Sequence, residues 1–145
     1  MAEMYLTGAG VLTPDGLDHA DIAIKGGMIA FDSDARAVDL TGFWILPGIV
    51  DLHGDGFERR LAPRRGALKD LRQGLMAADA ELAACGITTA TLAQFWSWEG
   101  GMRGPDFARA FLDALGRTEM LTDTAVQLRL ETALIEDYPD FEAIV

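Results

Sequence analysis

The segment that most constrains the fold of this chain runs from Leu46 to Arg59 and reads LPGIVDLHGDGFER. It predicts a short buried strand that delivers His53 and Asp55 to its carboxyl end. Because side chains alternate along a strand, Asp51, His53 and Asp55 are expected on one face. An imidazole and a carboxylate two residues apart can both reach one divalent metal ion. On spacing alone, two solvated loop residues are the plainer interpretation.

From Pro47 onwards, apolar strands alternate with amphipathic helices, which is typical of parallel β/α units. A helix is predicted over residues 68–85, with an apolar stripe at Leu71, Leu75, Ala78, Leu82 and Cys85. A strand over residues 87–92 follows, and then a loop from Gln94 to Pro105 that contains Trp96 and Trp98. The next helix places Phe107, Ala108, Phe111, Leu112 and Leu115 on one face, and residues 124–131 alternate as a strand.

The first 45 residues have a different pattern, with short strands separated by turns. Residues 22–25 and 28–31 read as a hairpin closed by Gly26 and Gly27. Residues 13–16, with the sequence TPDG, form a predicted turn, and Val38–Ile45 reads as one further strand.

Composition excludes several classes of function. The net charge of −11, from 23 acidic and 12 basic residues, argues against a nucleic-acid partner, which would require clustered Lys and Arg. No run approaches the roughly 20 apolar residues of a membrane span. The first ten residues carry no Lys or Arg, so no secretory signal is recognised, and the single cysteine excludes an internal disulfide. We therefore expect a cytoplasmic protein that has no membrane partner.

Four segments resemble the amidohydrolase superfamily. The entry segment, residues 39–53, has the sequence DLTGFWILPGIVDLH, and the others are residues 57–66 (FERRLAPRRG), 84–89 (ACGITT) and 127–131 (QLRLE). Most members continue the entry segment with His-x-His, whereas this chain has His53-Gly54-Asp55. That variant resembles the subgroup of α-D-ribose 1-methylphosphonate 5-triphosphate diphosphatases, as does the dipeptide Pro63-Arg64.

The resemblance implies a fold of the α/β class. A small N-terminal β domain, residues 1–45, would precede the first β/α units of a metal-dependent (β/α)8 barrel in residues 46–145. A complete barrel requires about 250 residues. We therefore expect an incomplete barrel whose isolated chain turns over no substrate. Exposed strand edges and helix-packing faces would favour self-association, so a homo-oligomer is one expectation.

The resemblance also implies metal-assisted hydrolysis of a phosphoric anhydride, with release of pyrophosphate from a phosphorylated sugar phosphonate. His53, Asp55 and Glu131 would be ligands of zinc or manganese at the carboxyl ends of the first and third barrel strands. Gln127, Arg129 and Glu131 alternate along the predicted strand over residues 124–131 and would share its inward face. An ion pair between Glu131 and an arginine such as Arg129 is an equally good interpretation.

Arginines in the loop after His53 suit a polyphosphate, because a guanidinium group pairs bidentately with phosphate oxygens. Arg59 and Arg64 are the predicted substrate-binding residues, and Arg60 and Arg65 are expected to be solvated. Two other functions stay open. One is an amidohydrolase reaction at a C–N bond, and the other is a truncated remnant that acts as a binding module without catalysis.

Overall fold

The computed structural model describes residues 3–62 and 70–145. The chain forms two compact units, Met1–Pro47 and Gly48–Val145.

The first unit consists of seven short strands in two sheets. The strands are β1 (Met4–Thr7), β2 (Gly10–Thr13), β3 (Gly16–His19), β4 (Ile22–Lys25), β5 (Met28–Ala30), β6 (Ala37–Asp39) and β7 (Trp44–Ile45). One sheet has the order β5-β4-β1-β6 and the other the order β3-β2-β7. Within them, β1 pairs with β6 and β2 with β7 in parallel, and the remaining pairs are antiparallel.

Two turns of this unit test the sequence analysis. The predicted hairpin is confirmed, because β4 pairs with β5 and both Gly26 and Gly27 have the positive φ angles, +59° and +82°, that a tight hairpin turn needs. The single strand predicted over Val38–Ile45 is wrong. Asp39 ends β6 and accepts hydrogen bonds from the amide and the hydroxyl of Thr41, at 2.9 and 2.7 Å. This Asx turn breaks the strand, so β6 and β7 belong to different sheets.

The second unit is a three-stranded parallel sheet with helices between its strands. The strands are β8 (Ile49–Gly54), β9 (Ile87–Trp96) and β10 (Asp123–Leu130), in the order β10-β9-β8. The helices are α1 (Glu58–Leu61), α2 (Leu71–Ala84), α3 (Pro105–Gly116) and α4 (Tyr138–Glu142), with 3₁₀ turns at Gly101–Arg103 and Ile135–Asp137. The predicted β/α alternation and parallel pairing are therefore observed, whereas the (β/α)8 barrel stays a prediction.

The core of this unit lies between the sheet and helices α1, α2 and α3. Its buried residues are Phe57, Leu61, Leu75, Ala78, Ala90, Leu92, Phe111 and Ala114, with Val126 packed against them. The predicted stripes of both long helices face this core, with one exception. Cys85 was expected to pack but is exposed, because α2 ends at Ala84 and Cys85 is already the residue that caps the helix.

The middle strand is longer than the sequence predicts. β9 pairs with β10 without a break up to the pair Trp96–Leu130, so the predicted start of a loop at Gln94 is wrong. Trp96 is completely buried, and its indole N–H donates to Asp137 at 2.8 Å. The side-chain amide of Gln94, also buried, donates to the carbonyl of Met102 at 2.9 Å and so ties the strand to the 3₁₀ turn that follows.

Candidate functional site

In the described part of the second unit, the buried residues of the helices pack against one face of the parallel sheet. On β10, Val126 packs against the helical core, so its neighbour Gln127 and the next alternate residue, Arg129, point the other way. Phe95 on β9 lies beside Arg129 in the register of the two strands and shares this face. We call the face that carries Gln127, Arg129 and Phe95 the open face.

His53 reaches the open face from β8. Its Nδ1 lies 2.6 Å from Oε1 of Gln127, which is two strands away. Because an amide oxygen only accepts, Nδ1 is the donor in this contact, and in the neutral imidazole Nε2 then keeps its lone pair. The backbone amide of His53 donates to Oδ1 of Asp51 at 3.0 Å. The imidazole is therefore held by its contact with Gln127 and the backbone of the residue by Asp51, and the neutral ring keeps one nitrogen as a potential ligand.

From the sequence, Asp51 was expected on the same face of the strand as His53. In the structure it lies on the opposite face. Asp51 pairs with Ala90 and Gly54 pairs with Leu92, so β8 contains one extra residue between these pairs. This β-bulge cancels the simple alternation. Asp51 instead lines a cavity of about 150 Å³ on the helix side of the sheet, with Leu82 of α2 among its neighbours.

The strand β8 is also less buried than predicted. It forms one edge of the three-stranded sheet, and Val50 and Leu52 are 56% and 73% exposed. Gly48, directly before the strand, is required by a close approach, because a Cβ atom there would overlap the side chain of Thr88. Thr88 is the extra residue of β9 between the pairs Ile49–Ile87 and Val50–Thr89. The two irregularities together set the path of the strand that carries His53.

The other predicted metal ligands lie at strand ends but are not gathered around His53. Asp55 is exposed, and its carbonyl accepts the amide of Glu58 at the start of α1 at 3.4 Å. Glu131 directly follows β10, and its Oε1 accepts the hydroxyl of Ser97 at 2.8 Å. Among the described residues, no three His, Cys, Asp or Glu side chains come together as a metal site. The ligand set His53, Asp55 and Glu131 stays a prediction.

From the sequence, Glu131 was expected either to bind a metal ion or to form an ion pair with an arginine such as Arg129. The structure shows a third arrangement. The partner of its carboxylate is Ser97, which is completely buried and also donates its amide to the carbonyl of Arg103 at 2.7 Å. The guanidinium of Arg129 lies 4.3 Å from the centre of the Phe95 ring instead. Ser97 gave no sequence signal because it follows a strand that was predicted to end earlier.

Of the arginines after β8, Arg59 contacts a carbonyl of its own loop and Arg60 forms an ion pair with α2. Arg59 is exposed, and its Nε donates to the carbonyl of Gly56 at 3.5 Å, beside the cavity on the helix side. Arg60 forms an ion pair with Glu81 of α2 at 2.9 Å, which raises the pKa of Arg60 and lowers that of Glu81. Arg64 and Arg65 lie outside the described residues. The substrate-binding role of Arg59 and Arg64 therefore stays a prediction.

The chain is similar to an allantoinase in sequence and to a D-hydantoinase in structure. An allantoinase from Deinococcus radiodurans is 37% identical over an alignment of 57 positions, which covers 35% of this chain and 13% of that enzyme. The crystal structure of a D-hydantoinase matches with a TM-score of 0.63 and 16% identity, over 98% of this chain and 31% of the other. These matches are a similarity of one segment and a similarity of fold, and membership of the amidohydrolase superfamily, which the sequence motifs suggest, belongs to the proposal below. The subgroup of phosphonate diphosphatases is not supported by either, and no family model matches the chain.

Both matches cover only a small part of the matched enzymes. The chain spans about one eighth of the allantoinase and less than a third of the D-hydantoinase. At 16% identity, the similarity to the D-hydantoinase shows a shared fold alone. No helix in the described ranges, 3–62 and 70–145, is long and apolar enough to cross a membrane. The predicted cytoplasmic location, sugar phosphonate substrate and homo-oligomer stay predictions.

The donors on the open face fit a divalent metal in part. A neutral imidazole with a free Nε2 is a good ligand for zinc, and its Nδ1–H bonded to an oxygen is the usual support of a metal-binding histidine. Gln127 supplies that oxygen at 2.6 Å. His53 is thus oriented to act as one metal ligand. A complete metal site needs more donor atoms than the described residues bring together.

Proposed function

We propose that this chain forms the part of a metal-dependent hydrolase that holds the first metal ligand, and that the reaction opens the C–N bond of a cyclic amide. The observation that carries the proposal is the arrangement of His53 at the carboxyl end of β8, with Nδ1 bonded to Gln127 and Nε2 available. The allantoinase and D-hydantoinase matches favour this reaction over cleavage of a phosphoric anhydride.

The residues of the open face would have distinct parts in this reaction. A bound divalent cation supplies water activation near neutral pH and polarises the scissile carbonyl group. His53 would bind the cation through Nε2, and Gln127 would keep the imidazole in the required tautomer and orientation. Asp55 and Glu131 would add carboxylate oxygens, and Ser97 would orient Glu131 through its hydrogen bond.

A second candidate is the phosphoric anhydride reaction implied by His53-Gly54-Asp55. This motif replaces the His-x-His of most superfamily members, and it is the sequence feature that favours a phosphonate triphosphate as substrate. In the structure, Arg59 donates to the carbonyl of Gly56 and lines the cavity on the helix side of the sheet, whereas His53 contacts Gln127 on the open face. This placement gives the second candidate less support than the first.

Metal titration of the purified chain tests the proposal. We expect zinc or manganese to bind with a stoichiometry near one and His53→Ala to abolish binding. His19→Ala is the matched control, because the only other histidine is exposed on β3 of the first unit and should not affect binding. Absence of binding to the wild type, or equal binding by His53→Ala, would contradict the proposal.

Gln127→Leu tests the role of the hydrogen bond independently of turnover. Loss of such a supporting partner typically lowers metal affinity by about 10–100-fold. Without metal, histidine nitrogen NMR should show the proton on Nδ1 of His53 in the wild type and on Nε2 in a larger fraction of the variant. In protein expressed from the complete reading frame, hydrolysis of hydantoin compared with pyrophosphate release from a nucleoside triphosphate then separates the two candidate reactions.

A further inference from the structure

Two arginines from different elements stack on one aromatic ring at the carboxyl end of the sheet. The guanidinium carbon of Arg129 lies 4.3 Å from the centre of the Phe95 ring, and that of Arg103 lies 4.7 Å from it. Arg129 comes from β10, and Arg103 comes from the 3₁₀ turn after β9. Phe95 therefore fixes the position of two positive charges, since each is attracted to the ring face.

Only one of these charges has an acidic partner in the described structure. Arg103 forms an ion pair with Glu99 at 2.9 Å. None of the ion pairs within residues 3–62 and 70–145 includes Arg129. The carboxylate of Glu131, two residues after Arg129 and just beyond β10, accepts a hydrogen bond from Ser97. The donors of Arg129 are therefore available, and its side chain is partly exposed.

The position of Arg129 connects this charge to the candidate site. It lies two residues after Gln127 on the same face of β10, and residues so spaced are about 7 Å apart. Gln127 in turn contacts His53 at 2.6 Å. A group bound by Arg129 would thus lie beside the imidazole, nearer the carboxyl end of the sheet.

We propose that Arg129, held by stacking on Phe95, binds an oxyanion group of the substrate, either a carboxylate or a phosphate. The planar fork of a guanidinium matches both groups bidentately, and stacking reduces the side-chain freedom that binding would otherwise cost. The net charge of −11 repels anions at long range. That repulsion is screened beyond about 8 Å at physiological salt, so the local donor decides binding. The inference rests on the proposed function, because it assigns a substrate group to the same face.

Titration of the metal-free chain with malonate and, separately, with pyrophosphate tests this assignment. We expect one of the two anions to bind and Arg129→Gln to weaken that binding at least tenfold. Arg129→Lys keeps the charge without the fork, so an intermediate loss is expected. Arg117→Gln is the matched control, because Arg117 is an exposed arginine paired with Asp113 at 2.7 Å. Binding of malonate would identify a carboxylate group and binding of pyrophosphate a phosphate group.

The assignment would be overturned if neither anion binds, or if Arg129→Gln and Arg117→Gln weaken binding equally. Zinc titration of the same variants separates this outcome from failure of the proposed function. Arg129→Gln should retain zinc, and His53→Ala should retain the anion. Anion binding without zinc binding refutes only the metal site, whereas zinc binding with an unaffected Arg129→Gln variant refutes only the anion subsite.

Discussion

The buried carboxylate of Asp79 should be one of the main determinants of the stability of the second unit. Asp79 lies on α2, is 2% exposed, and accepts three hydrogen bonds from the segment that enters β10. The donors are the amide of Leu121 at 2.5 Å, the amide of Thr122 at 3.0 Å and the hydroxyl of Thr122 at 2.7 Å. This link anchors the strand that carries Gln127 to the helix on the other side of the sheet.

The cost of Asp79→Ala follows from which donors can find water. Leu121 is 79% exposed, so its amide can be hydrated, and the hydroxyl of Thr122 still has Thr124 at 2.9 Å. Thr122 is only 7% exposed, so its amide would lose its partner in a buried place. An orphaned buried donor costs about 1–3 kcal/mol, and lost bonds to a carboxylate add to it. We expect a loss of about 2–4 kcal/mol in the free energy of unfolding.

Urea-induced unfolding followed by circular dichroism at the helix band measures this loss. The two long helices, α2 and α3, both belong to the second unit, so the signal reports on that unit. Asp123→Ala, at the exposed first residue of β10, is the control and should change stability by less than about 0.5 kcal/mol. The reasoning is refuted if Asp79→Ala is as stable as the control. Asp79 and Thr122 are in contact, so the effects of their substitutions on stability should not be additive. The reasoning is therefore also refuted if Thr122→Val lowers the free energy of unfolding by the same amount in the wild type and in Asp79→Ala.

Two further predictions concern the strand entry and the ion pair beside α1. Gly48→Ala should destabilise the protein by about 1–3 kcal/mol, because its Cβ would overlap Thr88 and force the β8–β9 pairing apart. Gly116→Ala, with open space around its Cβ, should be neutral or stabilising in the same thermal or urea assay, and equal effects would contradict the argument. Arg60 lowers the pKa of Glu81, so this pair contributes stability above the unfolded-state pKa of the carboxyl and loses it as pH falls through the lowered value. The stability difference between wild type and Glu81→Gln should therefore shrink on acidification from neutral pH, and a difference independent of pH would contradict the pairing.

Patterns that depend on local chemistry were predicted correctly from the sequence. The Gly26-Gly27 hairpin and the helix face containing Phe111 are both observed, because glycine permits positive φ and helical spacing is a property of the chain itself. The alternation of strands and helices after Pro47 also predicted the parallel sheet. The His53 motif was recognised, since residue type and order are sufficient to suggest a metal ligand.

Which side chains meet was decided by the tertiary structure. The bulge in β8 turns Asp51 towards α2, and β9 continues through Trp96 because β10 offers it a partner along its whole length. The pairing of His53 with Gln127 crosses a strand and 74 residues of sequence. Sequence alone determined the local elements and the residue types at their ends. The partners of those residues depended on strand register, which only the packing of distant segments specifies.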